Sequence, residues 1–234
     1  AIHRKDVITR DHAFANFEGA WIIPKDERRQ GVILYLHGGG YTCGDLDYAK
    51  GFGATLADEE GVRVFAAAYR LAPESPYPAA VEDALEAYNY LRQKGYKPEH
   101  IMLCGESAGG GLCFALCLKL KELSLPLPCG IIAISPWADL TASGSTYETN
   151  REKDVSLTAE VLEFYAQCYA DEHDRREQTI SPLFGELTGM PPSLIFAGGD
   201  EILLDDSVRL NRRLTECGCK SRLIIAPERW HAYV

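Results

Sequence analysis

The sequence Gly-Glu-Ser-Ala-Gly occupies residues 105–109, directly after an apolar run at 101–104. The apolar run predicts a buried strand and the residues after the serine predict a helix, so the motif lies at a strand-to-helix turn. Small residues on both sides of Ser107 let the backbone turn sharply without a clash and leave the hydroxyl exposed. The pattern favours a nucleophilic serine. A glycine-rich helix entry without a chemical role is the alternative for the motif on its own.

Strand-length apolar runs alternate with helix-length segments along the rest of the chain. This alternation predicts a mainly parallel sheet covered by helices on both faces, which is an α/β fold. The short link between the first two predicted strands leaves open an antiparallel pair at the N-terminal edge of the sheet. The predicted strands lie near residues 18–24, 31–36, 62–68, 100–104, 130–135, 193–198 and 221–226, and the predicted helices near 47–60, 78–94, 107–122, 156–170 and 203–217.

A second glycine cluster, His-Gly-Gly-Gly at residues 37–40, follows the apolar run at 31–36. This arrangement predicts a buried strand that opens into a loop. Glycines in such a loop let backbone N–H groups come close to a ligand, where they can hold the oxyanion that forms when a serine attacks an ester carbonyl. A phosphate-binding loop is the alternative, but neither the P-loop spacing nor the dinucleotide-binding spacing is present.

Two further candidate residues lie near the end of the chain. Asp200 ends the apolar run at 193–199, and a carboxylate at the carboxyl end of a strand lies where open α/β sheets place their active sites. Asp205 and Asp206 compete for this role, but they lie near the start of the next predicted helix, where acids favour the helix dipole. His231 is the one histidine of the six that follows Asp200. The order serine, acid, histidine is that of the α/β-hydrolases.

Taken together, these motifs resemble the hormone-sensitive-lipase-like branch of the α/β-hydrolases, the bacterial esterase/lipase group. The resemblance covers about residues 17–233 and implies an α/β-hydrolase fold, with a mostly parallel central sheet, helices on both faces and a small cap. It also implies that the N–H groups of Gly39, Gly40 and Ala108 form the oxyanion hole. The matching segments, in order, are residues 37–41, 69–74, 77–80, 105–110, 135–137 and Asp200.

The resemblance implies a serine carboxylesterase with Ser107, Asp200 and His231 as its catalytic residues. It would hydrolyse short-chain acyl esters through an acyl-enzyme, with His231 as general base and Asp200 orienting the imidazole. No metal or organic cofactor is implied. A non-catalytic small-ligand receptor on the same fold is the alternative, but the complete triad and the oxyanion glycines favour the enzyme. A peptidase is less favoured because the sequence has no propeller or other gating domain.

We expect one domain over residues 1–234, with cap material from about 1–16 and 138–190. The second segment interrupts the strand–helix alternation and carries apolar residues at helical spacing. It is interpreted either as a cap over the serine or as a surface helix packed on the core. The related fold continues with a last helix, and only three residues follow His231, so we expect this C-terminal helix to be missing.

Composition narrows the partners and the compartment. The net charge of −10 argues against a nucleic-acid or anionic-membrane partner, and no apolar run approaches the length of a membrane span. The N-terminus lacks the apolar core of a signal peptide. The eight cysteines lack zinc-site spacing, which predicts reduced thiols and a cytoplasmic protein. The expected partner is a small-molecule ester, and the sequence leaves a homodimer open.

Overall fold

The computed structural model describes residues 6–233. Its strands are β1 (Val7–Ala13), β2 (Glu18–Pro24), β3 (Val32–Leu36), β4 (Arg63–Ala68), β5 (Ile101–Glu106), β6 (Gly130–Ile134), β7 (Ser193–Gly198) and β8 (Ser221–Ala226). Its helices are α1 (Leu46–Glu60), α2 (Ala79–Gln93), α3 (Ala108–Glu122), α4 (Thr146–Thr149), α5 (Ala159–Ala170) and α6 (Leu204–Glu216), with short 3₁₀ turns at Pro98–His100 and Pro182–Phe184.

The strands form one sheet in the order β1-β2-β4-β3-β5-β6-β7-β8. Neighbouring strands from β4 through β8 pair in parallel, and β2 pairs antiparallel with both β1 and β4. Successive residues of β3 face opposite sides of the sheet, so Leu34 joins the larger apolar cluster and Ile33 joins the cluster around α1. The predicted α/β-hydrolase fold with helices on both faces is confirmed.

The N-terminal edge differs from the sequence analysis in two ways. Val7–Ala13 forms β1, whereas residues 1–16 were expected to supply cap material; residues 1–5 lie outside the described part of the chain. Most of β1 is exposed and its sequence is mainly polar, so it gave no apolar run. The antiparallel pair that the sequence left open at this edge is present, but β1 and β2 form it, and the first two predicted strands, β2 and β3, are separated by β4.

The centre of the sheet is the most deeply buried part of the fold. All five residues of β3 are buried, and α3 is buried along its length apart from Lys119, Lys121 and Glu122. A helix that is apolar on every side belongs in a core rather than at a surface. The strand before Ser107 and the helix after it are therefore both fixed by packing. Within the described residues, no helix is long and apolar enough to cross a membrane.

Candidate active site

Ser107 lies between the last residue of β5 and the first residue of α3. Its φ of 54° and ψ of −123° place a non-glycine residue in a conformation that L-residues rarely adopt. The backbone around it holds this turn: the Ser107 N–H donates to Ile134 O at 2.9 Å, and Ser107 O accepts from Trp137 N at 2.9 Å. The predicted sharp strand-to-helix turn is therefore present, and the serine is about nine-tenths buried.

Glycine is required on both sides of this turn because backbone atoms occupy the space of a side chain. A Cβ on Gly105 would lie 2.5 Å from Gly109 O, and a Cβ on Gly109 would lie 2.0 Å from Leu36 O. The first turn of α3 thus packs directly on the end of β3. Because α3 begins directly after Ser107, the free N–H groups of its N-terminus lie next to that residue, where they favour negative charge.

His231 follows the edge strand β8 and is paired with a buried carboxylate. Its Nδ1 lies 2.8 Å from Glu201 Oε2, and the exposed fractions of the two side chains are 9% and 0%. The next residue ties the loop to the neighbouring part of the sheet, since Ala232 N donates to Ser135 Oγ at 3.1 Å. Ser135 directly follows β6, the strand beside β5. The loop with His231 is thereby held at the carboxyl ends of the parallel strands, where Ser107 also lies.

The structure corrects the acid expected from the sequence, because Glu201 and not Asp200 contacts the imidazole of His231. The backbone N–H of Asp200 donates to Arg229 O at 3.0 Å, and its side chain is only half-buried. After β7 ends at Gly198, the chain turns so that Glu201, the residue after Asp200, points inward. Its Oε1 accepts from Gly198 N at 3.1 Å. The signal in the sequence was an acid directly followed by the apolar residues Ile202 and Leu203.

The two other competing acids hold the segment after β6 onto α6. One carboxylate oxygen of Asp206 accepts from Ala138 N at 2.9 Å and from Asp139 N at 2.8 Å. Asp205 accepts from Ser145 N at 2.6 Å. Burial raises the pKa of Asp206 well above its usual range, and the nearby charge of Asp139 raises it further. These acids therefore have a structural role in the fold and do not contact His231.

The glycine loop after β3 adopts a backbone that other residues would strain. Gly39 has a φ of 111° and Gly40 a φ of 61°. Gly39 O accepts from both Thr42 N at 3.0 Å and Cys43 N at 2.9 Å, which closes the loop on itself. Within residues 6–233, no acceptor is found for the N–H groups of Gly39, Gly40 or Ala108. Three unpaired donors near a nucleophilic serine are what an oxyanion hole requires.

The carboxylate of Glu106, the residue before Ser107, holds the glycine loop through hydrogen bonds. Its Oε1 accepts from Gly38 N at 2.7 Å and from the Tyr48 hydroxyl at 3.1 Å. The Tyr35 hydroxyl donates to the same carboxylate, at 2.8 Å from Oε2. Burial raises the pKa of Glu106, although each of these donors favours its charged form. The side chain next to the nucleophile therefore supports the loop of glycines.

His37 begins this loop and is held as a structural residue. It is fully buried, and its ring stacks on Tyr69 with centroids 4.4 Å apart. The Tyr69 hydroxyl donates to His37 O at 2.6 Å, and His37 Nδ1 lies 2.6 Å from Gly38 O. Burial lowers the pKa of His37 and so favours the neutral ring, although the hydrogen bond to Gly38 O opposes this shift. Nδ1 is the donor of that bond because a carbonyl oxygen can only accept. These contacts show that His37 shapes the start of the loop.

Comparisons with known proteins identify the family of this fold. A family model described as alpha/beta hydrolase fold matches residues 33–234. An acetyl-hydrolase from Streptomyces hygroscopicus is 38% identical over 229 residues, covering 97% of this chain and 75% of the relative. A crystal structure of an esterase from the bacterial hormone-sensitive lipase family is 37% identical, with a TM-score of 0.94 and coverage of 97% of this chain and 77% of that one.

A further solved structure is that of EstE5, whose crystal was soaked with p-nitrophenyl butyrate. It is 36% identical, has a TM-score of 0.92 and covers 97% of this chain and 76% of that one. The family model spans most of the chain, and the matched structures carry the same sheet. The chain therefore belongs to the hormone-sensitive-lipase-like esterase/lipase branch of the α/β-hydrolase fold, and it is a carboxylic ester hydrolase.

Proposed function

We propose that this esterase works through a Ser107–His231–Glu201 triad and a covalent acyl-enzyme. The observation that carries the proposal is the 2.8 Å contact between His231 Nδ1 and Glu201 Oε2. This contact lies at the carboxyl ends of the parallel strands, where Ser107 adopts its strained turn. The carboxylate fixes the tautomer in which Nδ1 carries the proton. Nε2 of His231 is then the nitrogen that can accept a proton from the serine.

The reaction begins when the Ser107 hydroxyl oxygen bonds to the ester carbonyl carbon and its proton passes to His231 Nε2. The carbonyl electron pair moves to the oxygen, which becomes an oxyanion. When the carbonyl reforms, the bond to the alcohol oxygen breaks and that oxygen takes the proton from Nε2. A water molecule then attacks the acyl-enzyme with the same proton transfers, which releases the acid and restores Ser107.

The N–H groups of Gly39, Gly40 and Ala108 are proposed to bind the oxyanion. Part of the loop that carries two of these donors is held by the protein itself, because Gly39 O accepts from two loop N–H groups and Glu106 holds Gly38. Donors that are already in place require no reorganisation during the reaction. Removing one such donor costs about 3 kcal/mol of transition-state stabilisation in comparable enzymes.

The substrates are proposed to be esters with short acyl chains. The Streptomyces relative is named an acetyl-hydrolase, and EstE5 was soaked with a butyrate ester. A pocket that fits a short chain gains about 1–3 kcal/mol per well-placed methylene and loses it once the chain outgrows the site. The kcat/KM of the purified protein should therefore be highest for acyl groups of about two to six carbons.

A panel of p-nitrophenyl esters from acetate to palmitate tests this proposal, with Ser107→Ala as the control for background hydrolysis. We expect saturable turnover of the soluble short esters, and labelling of Ser107 by a serine-reactive phosphonate. A kcat/KM optimum at the long acyl chains of the panel, such as palmitate, would contradict the proposed substrate class. Equal turnover by Ser107→Ala would contradict the proposed nucleophile.

A further inference from the structure

Helix α5 presents two tyrosines to the glycine loop and to Tyr41, the residue directly after it. Tyr165 and Tyr169 are four residues apart, so they lie on the same face of the helix, one turn from each other. The ring of Tyr169 stacks on that of Tyr41, with centroids 3.7 Å apart and planes at 6°. Both of these rings are buried. The loop is thus packed against α5 immediately after its last glycine.

Tyr165 contacts the loop at Gly40 itself. A Cβ built on Gly40 would lie 2.2 Å from Cδ2 and 2.7 Å from Cγ of the Tyr165 ring. The ring therefore covers the face of Gly40 where any other residue would carry its side chain. Partial burial raises the pKa of the Tyr165 hydroxyl, the proximity of Cys43 raises it further, and a hydrogen bond with Thr42 opposes the shift. Thr42 and Cys43 are the two residues whose N–H groups donate to Gly39 O.

The contacts of Tyr165 matter because glycines do not hold their own conformation. A glycine visits positive and negative φ with similar ease, so Gly40 at a φ of 61° has alternatives that a larger residue lacks. Gly38 is fixed by Glu106, and Tyr41 is fixed by Tyr169. The Tyr165 ring is the contact that restricts Gly40 between these two fixed residues.

We propose that Tyr165 is a positioning residue that holds the Gly40 N–H in the oxyanion hole. The inference rests on the proposed function, because it assigns Gly40 as an oxyanion donor. Tyr165 acts through the flat face of its ring on the glycine backbone, and its hydroxyl contributes the contact with Thr42 and Cys43. Truncating the ring would leave space into which Gly40 could move, and a misplaced donor costs transition-state stabilisation more than substrate binding.

The test compares Tyr165→Ala, Tyr165→Leu and Tyr165→Phe with the matched variant Gln167→Ala, which shortens an exposed side chain on the same helix. Steady-state kinetics with p-nitrophenyl acetate separate kcat from KM. A trifluoromethyl ketone, which forms a tetrahedral oxyanion with the serine, gives an inhibition constant that reports on the oxyanion hole. Thermal unfolding shows that each variant is folded, and Tyr165→Leu keeps apolar bulk should Tyr165→Ala not fold.

We expect Tyr165→Ala and Tyr165→Leu to lower kcat by about 10- to 100-fold, with KM within about threefold of the wild type. Inhibition by the ketone should weaken by a similar factor. Tyr165→Phe should restore kcat to within about threefold, because it keeps the ring, and Gln167→Ala should match the wild type.

Unchanged kcat and unchanged ketone inhibition in a folded Tyr165→Leu protein would overturn the assignment, as would a change in KM alone. An equal loss in Gln167→Ala would also overturn it, because the effect would then belong to the helix. A failure of the proposed function looks different: the wild type would not turn over esters, or Ser107→Ala would keep the activity.

Discussion

The nucleophile half and the base half of the site are built in different ways. The nucleophile half, residues 37–40 and 105–108, lies at the centre of the sheet between strands paired on both sides. The base half, residues 199–203 and 229–232, lies in loops after β7 and the edge strand β8. Backbone packing fixes the first half. One buried side-chain contact, between Glu201 and His231, fixes the imidazole in the second.

This difference shows where each half is vulnerable. In the nucleophile half, Ser107 takes its place from the conformation of the turn, and neighbouring glycines make that turn sterically accessible. In the base half, His231 sits in an exposed loop, with its neighbour Trp230 49% exposed. The orientation of the imidazole therefore depends on Glu201 and on the hydrogen bond from Ala232 to Ser135. Substitutions in the two halves should fail in different ways.

The largest effect is expected at the nucleophile. Ser107→Ala should lower kcat for p-nitrophenyl acetate by about 10⁴-fold or more, because it removes the proposed nucleophile. The turn should survive, since its hydrogen bonds come from the backbone. Thermal unfolding should show an unfolding midpoint close to that of the wild type. Retained activity in a folded variant would place the nucleophile elsewhere.

The next effect separates the two adjacent acids of the base half. Glu201→Gln should lower kcat by about 10³-fold, because an amide cannot hold His231 in the same tautomer or stabilise its charged form. Asp200→Asn is the matched control and should stay within about threefold of the wild type, since its side chain does not contact the imidazole. Steady-state kinetics of both variants decide the assignment. The reverse ranking would restore Asp200 as the acid.

A smaller effect is expected at Glu106, whose carboxylate holds the glycine loop. Glu106→Ala removes the acceptor of Gly38 N, the Tyr35 hydroxyl and the Tyr48 hydroxyl. The loss should lower kcat by about 10²-fold and leave the buried donors of Gly38 and Tyr35 unpaired, which costs about 1–3 kcal/mol of unfolding free energy each. Kinetics and urea unfolding measure the two effects. Glu106→Gln keeps an acceptor for Gly38 and should lose less of both.

The smallest effect concerns the pH dependence of stability. The pKa of Asp206 is raised by burial, so the folded protein favours its protonated form. The stability that this form confers is present at low pH and is lost as the pH rises through the raised pKa. The unfolding free energy of Asp206→Asn should therefore fall less between pH 5 and pH 8 than that of the wild type. Urea unfolding at both values checks this, and parallel pH profiles would contradict it.

The sequence predicted the turn at Ser107 better than the acid that contacts His231, for a physical reason. Glycine and serine at a strand end are local signals, because the backbone of a tight turn selects residues at fixed positions. Whether Asp200 or Glu201 points inward depends on how the chain leaves β7, and adjacent residues in the sequence do not encode that rotation. The polar edge strand β1 went unrecognised because a strand exposed on most of its length needs no apolar pattern.

Glycines that meet backbone and glycines that meet side chains differ in how a substitution could be repaired. A Cβ on Gly109 would collide with Leu36 O, an atom that every possible residue at position 36 would carry. A Cβ on Gly40 would collide with the ring of Tyr165, which a second mutation can shrink. A smaller residue at position 165 should therefore relieve the collision of Gly40→Ala, although the alanine would still be strained at a φ of 61°, whereas no residue at position 36 should relieve the collision of Gly109→Ala. The backbone at the end of β3 thus requires glycine at position 109 whatever the other residues are, while the residue tolerated at position 40 depends on the side chain at position 165.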